Sequence, residues 1–139
     1  MIGNLRRCGR RLNYGLIIHF DEIVFEHLHC GQHLPGFVEK AAELKAKGVD
    51  EIICTAVNDP FVIGIWGAQK GSTDITFLAD GNADFVKALG LTMDGSGFGL
   101  GTRGQRFALV AKDGVVEKLF VEAPGEFKVS TAEHVLESL

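Results

Sequence analysis

A chain of 139 residues, 46% of them hydrophobic and 23% charged, is long enough to bury one core and has the composition of a soluble globular domain. Its net charge of −4 argues against a nucleic-acid or anionic-membrane partner, and no apolar run approaches the roughly 20 residues of a membrane span. Three cysteines, Cys8, Cys30 and Cys54, are too sparse and too odd a set for a secreted disulfide framework, and they point to reduced thiols in a cytoplasmic setting.

The charge is unevenly spread. Arg6, Arg7, Arg10 and Arg11 fall in a start that contains no acid. A signal peptide would need an apolar core of about 7–15 residues, and Leu16-Ile17-Ile18 is too short to be one. Residues 1–13 are therefore expected as a basic irregular tail and residues 14–139 as a single domain. Residues 16–25 are apolar and β-branched enough for a strand, with Asp21-Glu22 marking a break.

From His33 the pattern sharpens. Leu34, Phe37, Val38, Ala41 and Leu44 recur at helical spacing, with Glu39, Lys40, Glu43 and Lys47 on the other face. Pro35 confines the helix start to its own neighbourhood, because proline lacks an N–H, and Gly48 stops the helix. Residues 49–57 read as a buried strand closed by Asn58-Asp59-Pro60. A second helix follows, with Phe61, Val62, Ile65 and Trp66 as its apolar stripe, ending near Gly71. Residues 75–79 form a short strand and residues 83–89 a short helix with Phe85, Val86 and Leu89 inward. A glycine-laced loop spans 90–104. Residues 106–111 and 115–121 flank Lys112-Asp113-Gly114, and Asp-Gly between apolar runs is a strong hairpin signal. Ser130 or Thr131 caps a last helix; with Ser130 as cap, Glu133 takes the capping-box place.

From His33 the order is thus α-β-α-β-α-β-β-α. Alternating units imply a parallel sheet core with right-handed crossovers, and the hairpin adds antiparallel strands at one side. The expected fold class is α/β, a thioredoxin-like mixed sheet flanked by helices, with a shortened N-terminal region. Two motifs carry less than they suggest. Gly99-Leu100-Gly101-Thr102-Arg103-Gly104 matches G-x-G-x-x-G but leads into a strand and opens no helix, which argues against a dinucleotide site. His27, His29, Cys30 and His33 are metal-ligand types, yet their spacing resembles no standard zinc finger, so no metal is expected.

Several stretches in one order resemble the type II, peroxiredoxin-5-like, peroxiredoxins. They are His33-Leu34-Pro35-Gly36-Phe37-Val38-Glu39-Lys40, Leu44 to Ile52, Val57-Asn58-Asp59-Pro60-Phe61-Val62, Phe77-Leu78-Ala79-Asp80-Gly81, Gly99 to Val110 and Gly125-Glu126-Phe127. The resemblance covers residues 33–139 and implies a thioredoxin-like fold, in agreement with the element order. It also implies a thiol-dependent peroxidase that reduces hydrogen peroxide and alkyl hydroperoxides through a cysteine sulfenic acid, without a cofactor. Glutathione, glutaredoxin or thioredoxin would be the reductant and a homodimer the assembly.

Cys30 is the candidate nucleophile. At a helix start the dipole and the N–H groups favour a thiolate. The resemblance carries the family's catalytic arginine onto Arg106, and it offers Cys54 as a resolving thiol, against the simpler reading of a buried strand cysteine. One feature departs from the family pattern. The nucleophile's place, four residues before His33, holds His29, and Glu26-His27-Leu28-His29 stands where a Thr-Pro-x-Cys or Thr-x-x-Cys box belongs. Three readings follow: a peroxidase with Cys30 shifted into the site; the same fold without activity, as an interaction or dimerisation module; or a shifted coding frame before residue 30. On the last, CAC-CTG-CAC for His27-Leu28-His29 reads Thr-Cys one base later.

Overall fold

The structure is a computed structural model that describes residues 14–19, 30–70 and 73–139. The described elements are β1 (Tyr14–His19), α1 (Cys30–Ala46), β2 (Glu51–Ala56), α2 (Pro60–Lys70), β3 (Ile75–Ala79), α3 (Asp84–Leu89), β4 (Thr92–Asp94), β5 (Thr102–Gly104), β6 (Phe107–Lys112), β7 (Val115–Val121) and α4 (Ala132–Ser138). Five strands form one sheet in the order β3-β2-β1-β6-β7, while β4 and β5 pair separately. β1 lies at the centre, parallel to β2 and antiparallel to β6; β2 and β3 are parallel, and β6 and β7 form the antiparallel hairpin. This is the expected mixed sheet with helices against it.

Period-two alternation sorts the strand residues onto two faces. Leu16, Ile18, Ile52, Cys54, Ala108 and Val110 meet Leu34, Phe37, Ala41 and Leu44 of α1 and Ala132 and Val135 of α4. Ile17, Ile53, Phe107, Leu109 and Ala111 face the other way, with Val86 of α3 and Leu91. The helical spacing read from Leu34 onward is therefore the face that lies on the sheet. Full burial of a side chain such as Phe37, at 0% exposure, is worth about 1.5–3 kcal/mol.

Carboxylates finish two helix starts. Asp59 Oδ1 accepts from the Phe61 and Val62 amides at 2.8 and 2.9 Å, and the nine-tenths-buried Asp80 accepts from Phe85 and Val86 at 3.0 and 3.2 Å. Each satisfies N–H groups that have no partner inside the helix. At the hairpin, Asp113 and Gly114 both take positive φ, 49° and 80°, as a two-residue primed turn requires.

Several elements differ from the sequence reading. β1 starts at Tyr14 and ends at His19; the remainder of the expected strand and the basic tail lie outside the described residues. α1 begins at Cys30, so Pro35 sits inside the helix, and the ladder loses the bond that its missing N–H would make to Gly31. The stripe assigned to α2 is only half right: Phe61 and Ile65 are 81% and 63% exposed, and Ile63 is the buried residue. A close approach sets that rotation, because a Cβ on Gly67 would stand 3.0 Å from the Phe77 ring. The glycine-laced segment holds β4 and β5, with Gly95 at a place where a Cβ would meet Arg103 Cγ at 2.9 Å. Thr131 is the N-cap of α4, accepting from the His134 amide at 3.2 Å, and Ser130 is engaged elsewhere.

Phe37→Ala should lower unfolding stability by about 3–5 kcal/mol, read as a fall in the urea midpoint at unchanged m-value. Phe61→Ala should stay within about 0.5 kcal/mol of the parent, since that ring packs on little. Equal losses would mean that the assigned inner face of α2 is wrong.

Candidate active site

The sheet order brings distant parts of the chain to one edge. β1, β2 and β3 run parallel, and their C-terminal ends lie together. β6 runs the other way, so its first residue, Phe107, pairs with His19 at the end of β1, and Arg106 stands just beyond it. β7 returns to the same edge, where Val121 pairs with Phe107. The chain leaves β1 at this edge and re-enters as α1, whose first residue is Cys30. Clefts at the carboxyl ends of parallel strands are the usual ligand positions of open α/β sheets.

His33 anchors the start of α1. It is fully buried, and its Nε2 lies 2.9 Å from the carbonyl oxygen of Ser130. A carbonyl only accepts, so Nε2 carries the proton. The imidazole stands edge-on to Phe37 and Phe127, at 5.4 and 5.2 Å between ring centroids. The Arg106 guanidinium lies over the same Phe127 ring, 5.6 Å from its centroid, a cation–π arrangement. One aromatic ring thus touches both the first full turn of α1 and the arginine at the start of β6.

The turn that carries Phe127 is built on Glu122, which is 7% exposed. Its Oε1 accepts from the Lys128 amide at 2.7 Å, the Ser130 amide at 2.8 Å and the Ser130 hydroxyl at 2.9 Å. Its own amide donates to the Arg106 carbonyl at 2.9 Å. Burial pushes the Glu122 carboxyl up, but the donors from Ser130, Lys128 and Val129 outweigh it and hold the group below the ordinary glutamate range.

Cys30, the expected nucleophile, opens α1 in a first turn of Cys-Gly-Gln-His that has no acid. The positive end of a helix carries about half an elementary charge, and there is no carboxylate in that turn to offset it. Arg106 lies at the same sheet edge. Cys54 does not: it is 1% exposed in β2, inside the core between the sheet and α1. Arg103, a second arginine nearby, is buried and donates to the Val57 carbonyl at 2.7 Å and to Asn58 Oδ1 at 3.2 Å, which ties β5 to the turn after β2. Of the four metal-ligand types, His27 and His29 lie outside the described residues, and no three His, Cys, Asp or Glu side chains gather among the described ones.

Periodicity and motif leave Glu122 unmarked and offer Ser130 only as a helix cap. Gly125-Glu126-Phe127 was legible only as part of a motif, and the positive φ of Gly125, 76°, shows the tight turn that presents the ring. Nothing local marks Glu122, because its donors follow six to eight residues later on backbone amides.

The Redoxin family matches residues 29–136. Peroxiredoxin-2B of Arabidopsis thaliana is 50% identical over 109 residues, covering 78% of this chain and 67% of the relative. The chloroplastic Peroxiredoxin-2E-2 of Oryza sativa subsp. japonica is 50% identical over 115 residues, covering 79% of this chain and 51% of the relative. This chain therefore spans about half to two thirds of their lengths. Among solved structures, reduced Prx3 of Vibrio vulnificus in complex with hydrogen peroxide has a TM-score of 0.85 at 45% identity, over 91% of this chain and 78% of that one. With family, relatives and fold in agreement, the chain belongs to the redoxin family and, within the thioredoxin-like superfamily, to the peroxiredoxins.

Proposed function

We propose that the chain is a thiol peroxidase in which Cys30 attacks the peroxide and Arg106 supplies the positive charge. The observation that supports this reading is the shared Phe127 ring, which contacts both the Arg106 guanidinium and His33 in the turn of α1 that Cys30 opens. A helix start and a guanidinium are the two features that lower a thiol pKa enough to populate the thiolate near neutral pH. The thiolate sulfur attacks one peroxide oxygen, the O–O bond breaks, and the sulfur becomes a sulfenic acid. The leaving oxygen takes up a proton and departs as water or an alcohol. Arg106, with its fork of N–H donors, holds the peroxide oxygen and the charge that develops on the leaving one.

The sulfenic acid must then be reduced. The burial of Cys54, 1% exposed in the core, favours an external thiol. The reductant would be glutathione, glutaredoxin or thioredoxin: one thiol displaces water from the sulfenic acid, and a second releases Cys30 by disulfide exchange. Hydrogen peroxide and alkyl hydroperoxides are the proposed substrates and a homodimer the proposed assembly. Among the described residues no helix is long and apolar enough to cross a membrane. The relatives include a chloroplastic form, so family membership carries no compartment with it.

A second reading, the fold without peroxidase activity, is favoured by the sequence Glu26-His27-Leu28-His29, which provides neither threonine nor cysteine where the family box stands. Helix geometry softens that objection. At about 100° per residue, position 30 lies about 60° to one side of His33, and the place one residue earlier would lie about 40° to the other. A one-residue displacement therefore turns the position by about 100° about the helix axis, short of the opposite side.

Consumption of hydrogen peroxide with an external thiol should fall to the buffer rate in Cys30→Ala; turnover equal to the parent would leave the inactive fold as the reading. Arg106→Ala should retain the fold and lose about a hundredfold in kcat/KM, the size seen when one preorganised donor is removed. Cys54→Ala should turn over as the parent does, and its loss of activity would make Cys54 the resolving thiol.

A further inference from the structure

We propose that Glu122 is a positioning residue of this site: through the turn that carries Phe127 and through the Arg106 backbone, it sets where the guanidinium stands relative to the start of α1. The inference rests on the peroxidase reading above, because it concerns what Arg106 does to the Cys30 thiol.

The contacts form a closed circuit. The Glu122 amide donates to the Arg106 carbonyl at 2.9 Å, which fixes the arginine's backbone at the end of β7. The Glu122 carboxylate gathers the Lys128 amide, the Ser130 amide and the Ser130 hydroxyl on one oxygen, at 2.7 to 2.9 Å. That oxygen folds the turn back on itself, so Phe127 projects between Arg106 and His33. The Ser130 carbonyl at the far end of the turn accepts from His33 at 2.9 Å and closes the circuit on α1. One residue thus reaches both supports of the guanidinium: its main-chain amide holds the strand end below it, and its carboxylate braces the turn that carries the ring beneath its face.

A guanidinium left on an exposed side chain samples many rotamers, and its effect on a thiol falls steeply with distance and solvent screening. Seating it on a ring confines it. The ring can confine it only if the turn is rigid, and the turn has no regular secondary structure between Val121 and Ala132 to make it so. Three donors on one buried carboxylate oxygen supply that rigidity, since hydrogen bonds to a charged acceptor are stronger than neutral ones. Buried carboxylates of this kind often serve stability alone. Here the turn they brace touches both elements that the chemistry needs.

The test is the pH profile of Cys30 alkylation by iodoacetamide, read on the Cys30 peptide by mass spectrometry so that Cys8 and Cys54 do not contribute. Arg106→Ala should raise the midpoint by about one unit, toward the ordinary thiol value of about 8.5. Glu122→Ala and Phe127→Leu, measured where denaturant curves show each to be folded, should raise it by a comparable amount. Glu122→Gln keeps a carbonyl oxygen for the same donors and should restore most of the parent value. In the Arg106→Ala background, Glu122→Ala should add nothing further, as residues acting through one group do. Should Glu122→Ala fail to fold, Phe127→Leu and Ser130→Ala carry the same comparison. A shift in Arg106→Ala with none in folded Glu122→Ala or Phe127→Leu would overturn the positioning role and leave the peroxidase reading standing. A parent Cys30 that already titrates near the ordinary value, unmoved by Arg106→Ala, would overturn both.

Discussion

The hydrogen bond between His33 and the Ser130 carbonyl joins positions 97 residues apart and is buried from solvent. A buried imidazole N–H without an acceptor would cost about 1–3 kcal/mol, so α1 has one favourable register against the segment leading into α4. That register places Leu34, Phe37, Ala41 and Leu44 on the sheet and leaves the first turn of the helix at the edge where β6 begins. Edge-on packing of His33 against Phe37 on its own helix and Phe127 on the turn holds the ring's angle. The candidate site is built outward from this contact, with polar satisfaction and packing specifying the same arrangement.

Why the fold was more legible than the site follows from the range of the forces involved. Helices and strands announce themselves by local periodicity, so the stripe from Leu34 to Leu44, β3 and the Asp113-Gly114 hairpin were read at or near their true places. The faces of α2 were not, because its rotation answers to the close approach of Gly67 and Phe77, a contact between elements that no single stretch encodes. The segment with β4 and β5 was masked by its glycines. One of them, Gly95, makes room for the stem of a buried arginine, a reason that appears only in three dimensions. Cys30 and Arg106 are candidates through a family motif, and no periodicity marks them. Phe127 and Glu122, which connect the Arg106 end of the sheet to the helix, lie on a turn without period.

Two arginines within four positions illustrate how environment divides labour between like side chains. Arg103 is buried, with its guanidinium committed to the carbonyl of Val57 and the side chain of Asn58. Arg106 is half-buried, and its guanidinium rests on the face of the Phe127 ring. The first keeps the turn after β2 in place; the second packs where the turn after β7 meets the start of β6. Their order along the chain follows the end of β5 and the start of β6, so strand boundaries, more than composition, separate their surroundings.

The Glu122 carboxylate also ties the architecture to the proton concentration. Its ionised form accepts the donors of the turn, and its pKa in the folded chain lies below the ordinary value of about 4.3. The unfolded chain therefore binds this proton more readily than the folded one, and folding is favoured wherever the group is charged. That contribution is complete above the ordinary glutamate pKa and is lost as the pH falls through the lowered folded value. Across neutral and mildly acidic conditions the turn stays braced. In stronger acid, protonation of this one carboxylate would loosen the turn, and with it the ring at Phe127 and the carbonyl that holds His33, so acid would reach the site through its scaffold.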